Sequence, residues 1–225
     1  STGDELVSPG ETLAPGQIYE SNSIMLGGLV TQAGAIPQLL GLVADDHAAV
    51  EQKLTEARAA RPDLILTSAG VSVGVYDYVR QVIEENGRLE LWRVNMRPGK
   101  PFTFGHYKDI PIIGLPGNPV SAFTGFMVFV QPVIQRLLGH TETQPLRFKA
   151  RLAHDIHSDG RESYLRAVVA SQGEDFIVHL NSHQGSGNLL SIVRANALLI
   201  VPAGVKSLPA GAKVDVWLLT DTHGM

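Results

Sequence analysis

The chain has 225 residues, 44% of them hydrophobic, enough to bury an ordinary core and to divide into two domains. Its formal net charge of −4 offers no long-range attraction for nucleic acid or an anionic membrane, so affinity for phosphate has to come from local loops. The absence of cysteine excludes disulfides and cysteine-ligated zinc and agrees with a cytoplasmic setting, and no stretch reads as a membrane span or a signal peptide.

In chain order, residues 23–32 read as a helix closed by Gly34, and residues 35–43 as a strand. Asp46 caps a helix over 47–60, with Val50, Leu54 and Ala57 on one face. A hydrophobic strand over 63–67 enters the loop Thr67-Ser68-Ala69-Gly70-Val71-Ser72-Val73-Gly74. A helix over 77–86 follows and stops at Gly87. Residues 89–96 read as a strand with Leu89 and Leu91 on one face and Trp92, Val94 and Met96 on the other. It runs into Arg97-Pro98-Gly99-Lys100-Pro101. Residues 110–115 form a short buried strand, and Gly114-Leu115-Pro116-Gly117-Asn118-Pro119-Val120-Ser121 leads into an apolar helix over 121–138. This alternation predicts an α/β domain with helices on both faces of a mainly parallel sheet, and ligand loops at the carboxyl ends of its strands.

The pattern changes after a linker at 141–145. Strands over 146–153, 163–170, 176–180, 197–201 and 213–219, separated by Gly, Ser, Asn and Asp turns, predict a small all-β, barrel-like domain. The resulting division is 1–140 and 145–225. His154, His157, His179 and His183 gather in this region, but their spacing fits no standard zinc pattern.

Three of the loops carry chemistry. Asn118 can cap the helix that follows it, Pro119 suits the first helical position, and Ser121 adds a hydroxyl where free amides favour an anion. Arg97 offers a planar fork and Lys100 a compact charge, either to an oxyanion or simply to solvent. Gly70 and Gly74 allow close backbone approach, and Ser68 and Ser72 supply hydroxyl donors. Asp77 either caps its helix or ligates a divalent ion between phosphates. The wording is neither a P-loop nor a dinucleotide fingerprint.

Taken together, Ser1-Thr2-Gly3-Asp4-Glu5-Leu6, Pro15-Gly16-Gln17-Ile18, Ser21-Asn22-Ser23, Asp45-Asp46, the 67–74 loop with Tyr76-Asp77-Tyr78, Arg97 to Pro101 and Gly114 to Ala122 closely resemble the molybdopterin molybdenumtransferases. These are MoeA in bacteria and the E domain of gephyrin and its plant relatives. The resemblance implies a three-layer α/β/α domain of the MoaB and Mog type followed by a small β-barrel-like domain. The activity it implies is insertion of molybdate into adenylylated molybdopterin with release of AMP, assisted by Mg2+. It assigns Arg97, Lys100 and Ser121 to molybdate or phosphate, and Asp45 and Asp77 to the metal or hydrolytic step. Ser68, Gly70, Ser72, Gly74, Pro116, Gly117, Asn118 and Pro119 then line the cofactor loops, and Gln184 to Asn188 either borders the cleft or forms a plain turn.

Two positions depart from the family wording: Ala69 stands where many members have glycine, and Arg97 where many have lysine. A methyl group at Ala69 would be strained if positive φ were needed there. The resemblance also implies two further domains upstream and a homodimer for the full-length protein, so the chain reads as a fragment. Alternative readings are a protein-binding scaffold of the gephyrin type and a nucleotide hydrolase of the competence-damage type, which shares Gly3-Asp4-Glu5-Leu6 and Asp45-Asp46.

Overall fold

The computed structural model describes residues 1–69, 77–143, 145–181, 184–185 and 187–219. They form two compact units, one of Ser1–Val94 and Gly99–Thr143, the other of Asn95–Pro98 and Gln144–Met225. The segment Asn95–Pro98 therefore groups with the second unit, although it lies within the 1–140 span of the sequence-based division.

The first unit opens with β1 (Leu6–Val7) and β2 (Ile18–Tyr19), paired in parallel. Then come α1 (Asn22–Gln32), α2 (His47–Ala59), β3 (Ile65–Ser68), α3 (Tyr78–Asn86) and β4 (Gly87–Trp92). After β5 (Met96–Arg97), which belongs to the second unit, follow β6 (Thr103–Tyr107), β7 (Ile110–Leu115), α4 (Pro119–Gly125), a π-helical turn (Phe126–Val130) and α5 (Gln131–Leu137).

The sheet has the order β3-β7-β6-β4. Only β3 and β7 are parallel; β6 runs antiparallel to both β7 and β4. The sheet is thus mixed rather than mainly parallel, because Lys108 and Asp109 make a tight hairpin between β6 and β7. Strand alternation turns Ile110 and Ile112 toward α2 and α3, where they join Val50, Leu54, Val79 and Val82 in one core cluster. Leu115 points the other way, against α4, where a methyl group added to Gly125 would lie 2.9 Å from its side chain. Helices therefore cover both faces, giving three layers.

Three local expectations change. Residues 35–43 form no strand: among them only Val43 pairs, in a parallel bridge with Thr2. Pro37 has no amide to donate, and Ile36 is left 97% exposed beside an apolar cavity of about 620 Å³ bordered by Leu26, Val30, Leu39, Ile65 and Leu138. The strand over 89–96 breaks after Trp92, where Arg93 adopts φ 75°, and a register shift between Leu89 and Leu91 leaves Leu91 42% exposed. As expected, α3 stops at Gly87, which starts β4, and its hydrogen admits the His106 carbonyl, which a Cβ would meet at 1.8 Å. Finally, Pro119–Leu137 is a continuous 19-residue helix of mean hydropathy 1.2, long and apolar enough to cross a membrane. With 56% of it buried inside the protein, including Phe126 and Val130, it serves here as a core helix. Pro132 cannot donate an amide to the preceding turn, and the π-helical turn takes up the mismatch.

The second unit contains β8 (Arg147–Leu152), β9 (Ile156–His157), β10 (Glu162–Gln172), β11 (Asp175–Leu180), α6 (Leu189–Val193), β12 (Ala197–Val201), β13 (Ser207–Leu208) and β14 (Lys213–Leu218). The order β11-β8-β14-β12-β10 closes through pairing of β10 with β11, making a five-stranded barrel. Leu165, Val178, Leu199 and Val216 fill it, and β5 pairs in parallel with the start of β10. His154 and His179 stack edge to face, and no group of three or more metal-ligating side chains occurs among the described residues. His183 lies outside them.

Candidate functional site

In the first unit the polar residues collect where β3 and β7 end. Thr67 and Thr103 both pair with Gly114, so the ends of β3 and β7 and the start of β6 share one edge of the sheet. Ser68 is buried there, and Asn22, at the first position of α1, donates from Nδ2 to Ser68 Oγ at 2.6 Å and to the Gly117 carbonyl at 2.7 Å. Ala69 N donates to the Leu115 carbonyl at 3.0 Å. One asparagine thus ties the 67–74 loop to the 114–121 loop. Gly70, Ser72 and Gly74 lie outside the described residues.

Ala69 does adopt positive φ, at 70°, a conformation costing a non-glycine residue about 1–2 kcal/mol. Its Cβ also bears on the neighbouring loop, since a methyl group added to Gly117 would approach it to 3.0 Å. Two alanines could face each other at this point only if one loop gave way by a few tenths of an ångström.

The 114–121 loop ends in the predicted cap. Asn118 Oδ1 accepts from Val120 N and Ser121 N at 3.2 and 3.4 Å, and Pro119 occupies the first helical position. Asn118 rather than an external anion therefore takes these first-turn amides. What the helix start still offers is its dipole and the Ser121 hydroxyl, whose residue is 7% exposed.

Asp77 is buried at the N-cap of α3, where Oδ1 accepts from Arg80 N at 3.1 Å and Oδ2 has no partner. Burial raises its pKa to about 6, against the opposing pull of the Arg80 amide and guanidinium. The Thr67 and Thr103 hydroxyls are likewise buried without partners. They share the α3 face of the sheet, on either side of a glycine that fills no space.

Asp45 lies just before the cap of α2. Its amide donates to Asp4 Oδ1 at 3.0 Å, and its own pKa is raised, first by burial and then by the charges of Asp4 and Glu5. The charges acting on Asp77 are instead Arg80 and Glu84. The structure therefore partners Asp45 with Asp4, a residue of the opening motif, and Asp77 with α3.

Positive charge is concentrated at the end of β4. The guanidiniums of Arg80 and Arg93 lie 3.9 and 3.7 Å from the centroid of the Trp92 ring, distances that place them on its opposite faces. Arg80 pairs with Glu84 at 2.8 Å, whereas Arg93 Nε and Trp92 Nε1 are buried without partners. Val94 N donates to the Lys100 carbonyl at 3.1 Å, which brings exposed Lys100 back beside this strand.

Arg97 belongs to the second unit, where it pairs with Ser163 on β10 and its Nη1 stands 3.7 Å from Asp159 Oδ2. The barrel also buries Arg166, 1% exposed, which donates to Ser191 Oγ at 3.1 Å and to the Gly185 carbonyl at 3.2 Å. Gln184 Nε2 donates to the Arg166 carbonyl at 2.8 Å. Gln184 and Gly185 are therefore anchored rather than part of a free turn. A lone arginine inside the apolar run Tyr164-Leu165-Arg166-Ala167-Val168 is the sequence signal that marks this position.

Both parts of the chain match known proteins. The family profile described as a probable molybdopterin binding domain matches residues 1–136, and that of the MoeA C-terminal region (domain IV) matches residues 149–219. A molybdopterin molybdenumtransferase of Nostoc sp. is 40% identical over 223 residues, covering 96% of this chain and 51% of that protein. Molybdopterin molybdenumtransferase 2 of Mycobacterium tuberculosis is 37% identical over 227 residues, covering 98% and 55%. The crystal structure of a molybdopterin biosynthesis MoeA protein from Pyrococcus horikoshii superposes with a TM-score of 0.82 at 31% identity, covering 98% of this chain and 53% of that one. The chain thus spans about half the length of the relatives it matches. With both of its parts matched in family order, the chain belongs to the MoeA family of molybdopterin molybdenumtransferases.

Proposed function

We propose that this chain supplies the molybdopterin-handling and molybdate-handling part of a molybdopterin molybdenumtransferase, which inserts molybdate into adenylylated molybdopterin and releases AMP. The observation that carries this reading is the joining of the 67–74 and 114–121 loops through Asn22 at one sheet edge, beside a cationic strip of Arg80, Arg93 and Lys100. A tetrahedral dianion needs such donors, and a net charge of −4 makes the local arrangement decisive.

In this reading Lys100 holds oxyanion oxygens in the first unit, where Ser121 adds a hydroxyl at the positive end of a helix, and Arg97 is an oxyanion contact of the second unit. Asp77, with a pKa of about 6 and a carboxylate oxygen without a partner, can take up or release a proton near neutrality. The donor set also fits Mg2+. Asp45 and Asp4 offer hard oxygens, and magnesium is commonly held by one or two carboxylates with substrate phosphates and water completing its shell. The Asp45 pKa is raised first by burial and then by repulsion from Asp4 and Glu5; a cation there would relieve the repulsive part, and when bound it masks phosphate charge. The family resemblance further supports a cytoplasmic homodimer for the full-length protein.

Isothermal titration of this chain with molybdate, with and without Mg2+, tests the reading. Saturable binding that weakens on Arg97→Ala or Lys100→Ala is expected. Heats for molybdate that match dilution into buffer would overturn it.

A further inference from the structure

Arg97 carries its counter-charge with it. In the turn Ser158-Asp159-Gly160-Arg161, Asp159 Oδ1 accepts from Arg161 N at 3.1 Å. Its Oδ2 accepts from Arg161 Nε at 3.1 Å and Nη2 at 2.6 Å. Arg161 also reaches Met96, the neighbour of Arg97, donating to its carbonyl at 3.4 Å. The Asp159 carboxylate is thereby fixed by its own turn, and it stands 3.7 Å from Arg97 Nη1 without depending on Arg97 for its position. Among the described residues it is the acid within ion-pair distance of Arg97.

We propose that Asp159 is a specificity-determining residue of the Arg97 oxyanion site, a fixed negative charge that weakens binding of tetrahedral anions in proportion to their charge. The inference rests on the reading of Arg97 as an oxyanion contact. Arg97 touches Asp159 through one long contact, so its fork can turn to an arriving anion. Asp159, held by the backbone amide and by the Nε and Nη2 edge of Arg161, cannot follow or withdraw. The anion therefore binds Arg97 in the presence of a like charge, and a dianion such as molybdate feels about twice the repulsion of a monoanion of the same shape. Arg161 holds the Asp159 carboxyl down to about 2, so this charge is constant across neutral and mildly acidic pH.

Binding of molybdate and of perrhenate, a tetrahedral monoanion, to wild type, Asp159→Asn and Asp159→Glu tests the proposal. Asp159→Asn should tighten molybdate about two- to fivefold, the range of an exposed ion pair, and tighten perrhenate less. Asp159→Glu should restore the wild-type ratio of the two affinities. A purely structural role would leave that ratio unmoved, and Asp159→Ser provides a second neutral variant if the first folds poorly. Unchanged or weaker molybdate affinity in the neutral variants, with Arg97→Ala still reducing it, would overturn this inference alone. Molybdate binding indifferent to Arg97→Ala would overturn the Arg97 reading and this inference together.

Discussion

Asn22 and Gly117, 95 residues apart in sequence, are joined by a 2.7 Å hydrogen bond from Asn22 Nδ2 to the Gly117 carbonyl. The same amide group reaches Ser68 Oγ at 2.6 Å, so a single buried side chain fixes the spacing of two candidate ligand loops. Asn22→Ala should cost about 1–3 kcal/mol, because it strands the buried Ser68 hydroxyl and removes the bond to the Gly117 carbonyl. Asn22→Asp should not rescue it, since a carboxylate has no hydrogen to donate. Urea denaturation of the variants decides this, and an alanine variant as stable as the wild type would show that the bond contributes nothing.

Asp77 makes stability depend on pH in an unusual direction for a carboxylate. Its folded pKa of about 6 lies above its ordinary value of 3.8, so between the two the folded protein binds more protons than the unfolded chain. The burial penalty is absent below this window and grows as pH rises through it. Discounted for partial screening, the loss between pH 4 and pH 7 should be about 1–2 kcal/mol relative to Asp77→Asn. Asparagine keeps the cap without the charge. Parallel pH profiles for the two proteins would refute the assignment.

Ala69 and Gly117 should be energetically coupled. Gly117→Ala places two methyl groups 3.0 Å apart and should destabilise the protein by about 1–3 kcal/mol. In an Ala69→Gly background that clash disappears, and the relief of positive φ at position 69 should offset the added chain entropy of glycine to within about 1 kcal/mol. A double-mutant cycle measures the coupling directly. Strict additivity would mean that the loops do not pack as they are seen to.

The caps, the strand ends and most of the barrel were legible because each depends on neighbours in sequence. Asp46, Asp77 and Asn118 hydrogen-bond to amides two or three residues ahead, and the five long barrel strands are apolar-rich runs bounded by turn residues. Residues 35–43 misled because an apolar run states hydrophobicity but not a pairing partner, and here only Val43 found one. Arg166 went unassigned because its worth depends on a loop 19 residues away whose carbonyl it holds. Asp4 was legible as part of a motif, but not as the partner of Asp45.

By itself the sequence determined the family and the order of α/β and β parts, and it marked the loops proposed here to hold chemistry. All of these follow from residue types at short spacing, where backbone geometry leaves few choices. Only the tertiary structure decided that the sheet is mixed, that Asn22 binds two distant loops, that Asp45 answers to Asp4, and that Arg97 stands beside Asp159. Those outcomes turn on contacts between residues far apart along the chain, whose closeness is set by packing and chain closure and leaves no periodic trace in the sequence.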